Sequence, residues 1–505
     1  MPNNEADVES IRAALDRGDG QAARAWIQRR GSSDPWAQAF GASLALSGEE
    51  LVAPCKAPAS DNLAAAHALC LNRVRAAVLR FDVKDVTRWG EMHASLASDE
   101  RTRVAQVLTA TWNAWVHGTP ADREMLAEME RSAARAGQAR EVVELATLRA
   151  LSALTAHEVE SAVREARRAA RMARAEGMPQ AEYLAYTVLA RVRRHSGQPH
   201  LAKRIIVGLT KVAPGPWADW LKFELMLSGG AAGVLDPLEH LDQASESGRA
   251  GFDTGARRLR EQAPPVAPFR HEVETIIAAS DSQAPADAWR AGVAEDPPPA
   301  LRGILARGRP ERPVVFVLAS AGAQTKRCLR PALVVARQDQ VPAEPFPVAR
   351  RGTRSAACVA ALLLAGDDGV EDRPLFRAVY GFDYEAEVHR GVFDVLKSRL
   401  RTQLGSQVEL DKVNGRNRIT PHVSLAVPDP RCLPSVRSQV LQALAEEPRS
   451  AKEVASVAGI ALRTAQHALR LLVEEGDCEQ VKEGRRVRYI LEDTTYSEPA
   501  RWMPA

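Results

Sequence analysis

Arg463, Thr464, Gln466, His467 and Arg470 lie near the C-terminus among Ala465, Leu469, Leu472 and Val473. The apolar residues recur at helical spacing, so the polar set shares the opposite side of one helix. Arginine forks and a glutamine amide can pair bidentately with base edges. Hydroxyl, imidazole and further cations on such a face suit phosphate oxygens. Cys478 to Val481 and Val487 to Ile490 follow as short strand-like runs of a hairpin, whose turn holds Lys482, Arg485, Arg486 and, at its edge, Arg488. Cations at a hairpin tip reach a phosphate backbone more readily than a base.

A second set lies upstream. Arg390, Lys397, Arg399 and Arg401 fall on a segment whose apolar face is expected to be Val392, Phe393, Leu396, Leu400 and Leu404. Arg416 and Arg418 come directly after Asn414-Gly415, a pair suited to a tight hairpin turn. Just before this region, residues 301–350 hold nine basic residues against Glu311, Asp339 and Glu344. The expected partner of these groups is double-stranded DNA.

The elements that must position them come in the same order twice. In the first module, residues 355–364 and 371–380 read as helices, a long helix covers about 385–404 up to Gly405, and a hairpin begins at Val408. In the second, Val436, Val440, Leu441 and Leu444 mark one helix. Ser450 with Glu453 three residues later forms a capping box for the next, which stops at Gly459. Residues 461–475 form the third helix, closed by Gly476 before the hairpin. Two helices, a polar-faced third helix and a hairpin make a winged helix, whose third helix fits a ~12 Å major groove.

Leu375 to Gly381 (Leu-Phe-Arg-Ala-Val-Tyr-Gly), Ser398 to Leu404 (Ser-Arg-Leu-Arg-Thr-Gln-Leu) and Val413-Asn414-Gly415-Arg416 resemble the OmpR-type DNA-binding domain. The resemblance implies a strand platform before the first helix, matched by Val314 to Leu318 and Leu333 to Val335. Lys397 departs from it, standing where the family buries an aliphatic residue, and Asn417-Arg418 replace a Gly-Tyr pair. The second module resembles the winged helix of ArsR- and IclR-like regulators, including Leu472 to Gly476 (Leu-Val-Glu-Glu-Gly) before the wing.

Residues 1–262 read as successive helices broken by short turns such as His117-Gly118-Thr119-Pro120 and Ser196-Gly197-Gln198-Pro199. Tyr186, Leu189 and Ala190, then Gly197, then Ala202, Ile206 and Leu209, then Pro214 resemble a tetratricopeptide repeat, and Trp220 follows Tyr186 at a 34-residue offset. Ala166, Ala170 and Ala173 repeat the spacing of the second helix. Such a half is expected to bind a ligand or protein partner, or to form a homo-oligomer. Residues 263–312 are proline-rich and read as a linker, with a short amphipathic piece from Glu272 to Ala279.

The expected fold class is therefore mainly α: a helical-repeat scaffold (1–262), the linker (263–312), a winged helix with its strand platform (313–430), a second winged helix (431–495) and a tail (496–505). The expected function is DNA-binding transcription regulation. The alternative is a protein-interaction scaffold, because helical repeats followed by a winged helix also resemble PCI-type subunits of large complexes.

Other classes find little support. Net charge is +3 over 505 residues, so attraction to nucleic acid must come from local clusters. The six cysteines form no CxxC pair, which leaves no zinc or disulfide signature. No phosphate loop, HExxH, GxSxG or strand-linked GxGxxG occurs, so no catalytic residues, metal or cofactor are expected. The N-terminal residues lack a secretory pattern and no apolar run spans a bilayer, which gives an expected cytoplasmic location without membrane association.

Overall fold

The computed structural model describes residues 4–48, 62–229, 249–280, 300, 314–318, 344–345, 353–365, 368–422, 425–429, 435–445, 447–483 and 486–491. The chain is mainly helical, and among the described residues its small sheets lie in the C-terminal part. It divides into two compact units. One comprises Met1–Val234, Leu259–Val273 and Val440–Ala505, and the other Leu235–Arg258 and Glu274–Gln439.

The first unit opens with helices α1 (Asn4–Asp16), α2 (Gly20–Arg30), α3 (Pro35–Leu44), α4 (Leu63–Leu79), α5 (Val83–Ala94), α6 (Glu100–Val116) and α7 (Arg123–Arg135). Then come α8 (Ala139–Thr155), α9 (Val159–Ala175), α10 (Pro179–His195), α11 (Pro199–Leu209) and α12 (Ala218–Leu227). Asp19, Asp34, Asn62, Asp82, Asp99 and Asp122 cap six of these helices with side-chain oxygens on otherwise orphaned backbone N–H groups.

Helices α8, α9 and α10 are each 17 residues long. Gly137, His157, Gly177 and Gly197 sit in the turns with positive φ, one every twenty residues. At each turn the backbone N–H groups fold back on the last carbonyls of the preceding helix, as in Gly197 N–H to Arg194 O and Gln198 N–H to Arg193 O. His157 takes this left-handed conformation (φ 62°) without the freedom of glycine. The pair period here is thus forty residues, longer than the offset from Tyr186 to Trp220. The offset is shorter because α11 has only 11 residues. The residues read as inter-helix packing positions are all buried: Ala166, Ala170, Ala173, Tyr186, Leu189, Ala190, Ala202, Ile206, Leu209 and Trp220.

The stretch read as a linker contains more structure than its prolines suggest. Helix α13 (Arg249–Gln262) precedes it, and α14 (Ala267–Ser280) starts five residues before the expected amphipathic piece. Pro264 and Pro265 fall between the two helices and Pro268 in the first turn of α14, where a missing N–H costs nothing. Phe269 packs on Phe81, Trp115, Trp220 and Phe223 at ring separations of 5.0–5.9 Å. Glu272 is buried against Arg191 and Arg194. Residues 281–299 lie outside the described residues, as do Leu333 to Val335.

A buried histidine pair fixes its own proton positions. His67 Nε2 lies 2.9 Å from the Ala97 carbonyl, which can only accept, so Nε2 carries the proton. His67 Nδ1 then accepts from His93 Nε2 at 2.8 Å, and His93 Nδ1 accepts from Thr109 Oγ1 at 2.8 Å. Burial, and then His67, lower the His93 pKa to about 3. Burial, and then Arg193, lower that of His200 to about 4. Above the ordinary value of 6.5 both folded and unfolded states are neutral. Below it the unfolded chain takes protons that the folded chain refuses, so stability declines as pH falls from 6.5 towards 4. Urea titrations at pH 7.5 and 5.0 should differ by on the order of 1–2 kcal/mol for each of these histidines. A His93→Gln variant should show the smaller pH dependence, and an identical one would contradict the neutral pair.

In the second unit β5 (Leu425–Asp429) lies between β1 (Val314–Leu318), antiparallel, and β2 (Glu344–Pro345), parallel. Helices α15 (Thr353–Ala365), α16 (Asp372–Tyr380) and α17 (Ala386–Leu404) follow β2 in sequence, and the hairpin of β3 (Val408–Val413) and β4 (Arg416–Pro421) follows α17. Asn414 (φ 51°) and Gly415 (φ 80°) form the expected hairpin turn. Phe376 centres the core, stacked on Tyr380 and His389 and set edge-on to Phe393.

The C-terminal module consists of α18 (Val436–Leu444), α19 (Ala451–Ala458), α20 (Leu462–Glu474) and the hairpin of β6 (Cys478–Glu483) and β7 (Arg486–Leu491). The Ser450–Glu453 capping box is present, and Gly459 closes α19 in the left-handed conformation. Val440, Leu441, Leu444, Val454, Leu469 and Leu472 make the module's core, and Leu201 of α11 belongs to the same cluster.

Candidate nucleic-acid interface

Burial of Ala465, Ala468, Leu469 and Leu472 turns the opposite side of α20 outward. Arg463, Thr464, Gln466, His467 and Arg470 are all exposed there. Arg470 is engaged within its own helix, with Glu474 at 3.6 Å and His467 at 3.3 Å. Arg463, Thr464 and Gln466, in the first turns, have no side-chain hydrogen bond or ion pair among the described residues. Lys482 is exposed on β6. Arg486 starts β7 opposite Glu483, and Arg485 lies outside the described residues.

The opposite end of α20 is anchored. Arg167 of α9 donates to the carbonyls of Glu475 and Gly476 and pairs with Asp477 at 2.8 Å. Arg193 of α10 reaches the same Asp477 oxygen at 3.0 Å and bonds Gln198 at 2.8 Å. All three charged side chains are buried, Asp477 with 1% of its side chain exposed. Orphan carbonyls at a helix C-terminus attract cations, so one arginine serves both the helix end and the aspartate. The contact is made just past the C-terminal end of α20, whereas Arg463, Thr464 and Gln466 lie in its first turns. Asp477 lies hundreds of residues along the chain from Arg167 and Arg193, so no local sequence signal points to this pairing.

The first module distributes its cations differently. Lys397 is drawn to Asp394 (3.1 Å) and Asp372 (3.4 Å) and lies over the Phe393 ring. Lys412 pairs with Asp372 at 2.6 Å. Burial alone would raise the Asp372 pKa, but bonds from Lys412 and Asn417, with the Lys397 charge, bring it below its ordinary value. Arg416 pairs with Glu371 at 3.3 Å, and Arg418 is half-buried with its Nε unbonded. Lys412 and Arg416 therefore tie the hairpin to the start of α16, and Lys397 ties α17 to the same place, rather than stand free. Arg390, Arg399 and Arg401 are exposed on α17. Arg390 lies 3.8 Å from Asp394, and Arg401 lies 3.5 Å from the Leu410 carbonyl.

One expected core position is wrong. Phe393, Leu396, Leu400 and Leu404 are buried, but Val392 is 53% exposed. With Val388 (65%) and Val395 (50%) it forms an outward apolar stripe at i, i+4, i+7. The expectation put Val392 and Phe393, about 100° apart on a helix, on one face, and the packing selects Phe393.

Among the described residues no cluster of three or more His, Cys, Asp or Glu is placed to hold a metal, and no helix is long and apolar enough to cross a membrane. No protein family, curated protein or solved structure matches the chain.

Proposed function

We propose that the chain is a DNA-binding transcription regulator in which two winged-helix modules contact double-stranded DNA and the helical half, a tetratricopeptide-like scaffold, senses a ligand or partner. The observation that carries this reading is the free set Arg463, Thr464 and Gln466 at the N-terminal end of α20, beside a hairpin bearing Lys482. A third helix enters the major groove by its N-terminal residues, and a wing lies along the backbone. Anchoring of the other end of α20 to the scaffold gives the helical half a direct hold on the reader.

The test is a mobility shift of the full chain against a duplex library, followed by titration of the selected site at several salt concentrations. Log K should fall with log salt at about −0.9 per neutralised phosphate, with roughly four to eight such contacts. Lys482→Ala should weaken selected and scrambled duplexes alike and reduce the slope by about 1. Arg463→Ala or Gln466→Ala should cost ~1–3 kcal/mol on the selected site and little on scrambled sequence. Absence of any retarded complex at low salt would refute the reading.

The second reading, a protein-interaction scaffold, has the Val388, Val392 and Val395 stripe in its favour. That stripe occupies the helix that would read DNA in the first module, and it suits a protein surface better than a phosphate backbone.

A further inference from the structure

Helix α17 buries one side through Phe393, Leu396, Leu400 and Leu404. Its other side presents Val388, Val392 and Val395, each at least half exposed. Gly391 lies among them, exposed, and a Cβ placed there meets nothing within 4 Å. Glycine weakens the middle of a helix, and what it offers in return is close approach of another backbone. An outward row of valines is likewise a poor surface for water and a good one for a second apolar face.

The charges at the two ends of this row say what fits it. Glu385, at the N-cap, and Glu387 precede the valines, and Arg399 and Arg401 follow them; all four are exposed. Glu385, Glu387 and Arg399 have no side-chain ion pair among the described residues, and Arg401 has only the Leu410 carbonyl at 3.5 Å. Arg390 and Asp394, near the middle, answer each other within the helix at 3.8 Å. An acidic start and a basic end also suit the dipole of the helix itself, so charge alone calls for no partner. The dipole does not explain the valines between the ends.

We propose that this face binds a second copy of the chain, α17 against α17 and antiparallel. A twofold axis level with residue 393 sets Gly391 against Val395 of the second copy, and Val392 against its Val392. The same operation lays the acidic pair Glu385 and Glu387 of each copy beside the basic pair Arg399 and Arg401 of the other. A parallel copy sets acidic end beside acidic end and basic beside basic, so the charges select the antiparallel one. A phosphate backbone answers only the arginines and leaves the valines and both glutamates facing it. The pairing rests on neither reading of the function above. Among helices it leaves α20 as the DNA reader, and in the dimer the first module meets DNA by its hairpin and not by α17.

The test is sedimentation equilibrium of the full chain, without DNA, from about 1 to 200 µM. One pair of helices buries less than a standard interface, so Kd should be on the order of 10 µM. Val395→Glu, at an exposed position, should weaken the dimer at least about tenfold. Glu385→Arg with Glu387→Arg makes both ends basic, and Arg399→Glu with Arg401→Glu makes both ends acidic. Each of these two chains should stay monomeric alone, with its helix content checked by circular dichroism, and an equimolar mixture should dimerise. That recovery separates a lost contact from a lost fold. Raising salt from about 0.05 to 0.5 M should weaken the dimer of the unaltered chain, since opposite charges are screened. A monomer at every concentration, a dimer indifferent to Val395→Glu, a mixture no better than its components, or a dimer strengthened by salt would each overturn the proposal. A dimer that retards no DNA would leave the pairing standing and remove the regulator reading. A monomer that retards DNA would do the opposite.

Discussion

Glu272→Ala should destabilise the scaffold by about 3–5 kcal/mol, the scale for breaking a buried ion pair from one side. Glu272 lies between two cations that have almost no access to water. Arg191 reaches it at 2.9 Å, and Arg194 bonds it directly. The same arginines share Glu224 at 2.7 and 2.6 Å, so two carboxylates balance two guanidinium groups. Burial alone would raise the Glu272 pKa, but Arg194 and Arg191 hold it well below the carboxylate range. Removing it leaves one buried positive charge without its counterpart, and water cannot reach to replace it. Glu272→Gln keeps the shape but not the charge and should recover only a small part of the loss. The measurement is a urea unfolding midpoint at constant m-value. A loss under about 1 kcal/mol for Glu272→Ala would show that the network relaxes or admits water. Because the folded pKa is depressed, this contribution is present above the ordinary value of 4.5 and is lost as pH falls through the lower folded value.

What was legible in the sequence follows from how local each signal is. The capping box at Ser450 and Glu453, the Asn414-Gly415 turn and the helix stops at Gly405 and Gly459 depend on a few adjacent residues, and each appears where expected. The inward face of α20 follows from a 3.6-residue period and is likewise where expected. Val392 was misplaced because the period leaves two neighbouring apolar residues undecided, and packing against Phe376 favours Phe393. The proline-rich stretch hid only the first turns of α14, before the expected piece from Glu272, because Pro268 interrupts nothing at the first turn of a helix. The long-range ion pairs were illegible, yet α10 contained a clue. Its run from Ala185 to Ala190 is nonpolar on every side apart from Thr187, which marks a helix surrounded by protein. Arg191, Arg193 and Arg194 continue that helix, so they had to be buried and had to find carboxylates. Which carboxylates they find depends on the tertiary fold, with Glu224, Glu272 and Asp477 far along the chain.

Asp477 is where that rule reaches the C-terminal module, and Asp477→Ala should loosen the module from the helices α9 and α10 by about 3–5 kcal/mol. The carboxylate compensates Arg167 at 2.8 Å and Arg193 at 3.0 Å, and all three side chains are buried. In the variant Arg193 keeps its bond to Gln198, and Arg167 keeps the helix-end carbonyls. Neither partner carries a full negative charge, so undocking, which returns both arginines to water, becomes the cheaper state. Apolar contact through Leu201 then remains to hold the surfaces together. The module's own core, from Val440 to Leu472, does not depend on Asp477 and should stay folded. Amide hydrogen exchange reads the difference. In Asp477→Ala, exchange should accelerate at the C-terminal turn of α20 and at the helix-end contacts on α9 and α10, while α8 keeps its protection. A concerted replacement, Arg167→Met and Arg193→Met with Asp477→Leu, removes the charges together and should recover most of the docking, since apolar groups of similar volume often substitute for a buried ion network without loss. Unchanged exchange in Asp477→Ala would mean that the apolar contact alone fixes the module. Faster exchange throughout α19 and α20 would mean that the module cannot hold its fold away from the scaffold.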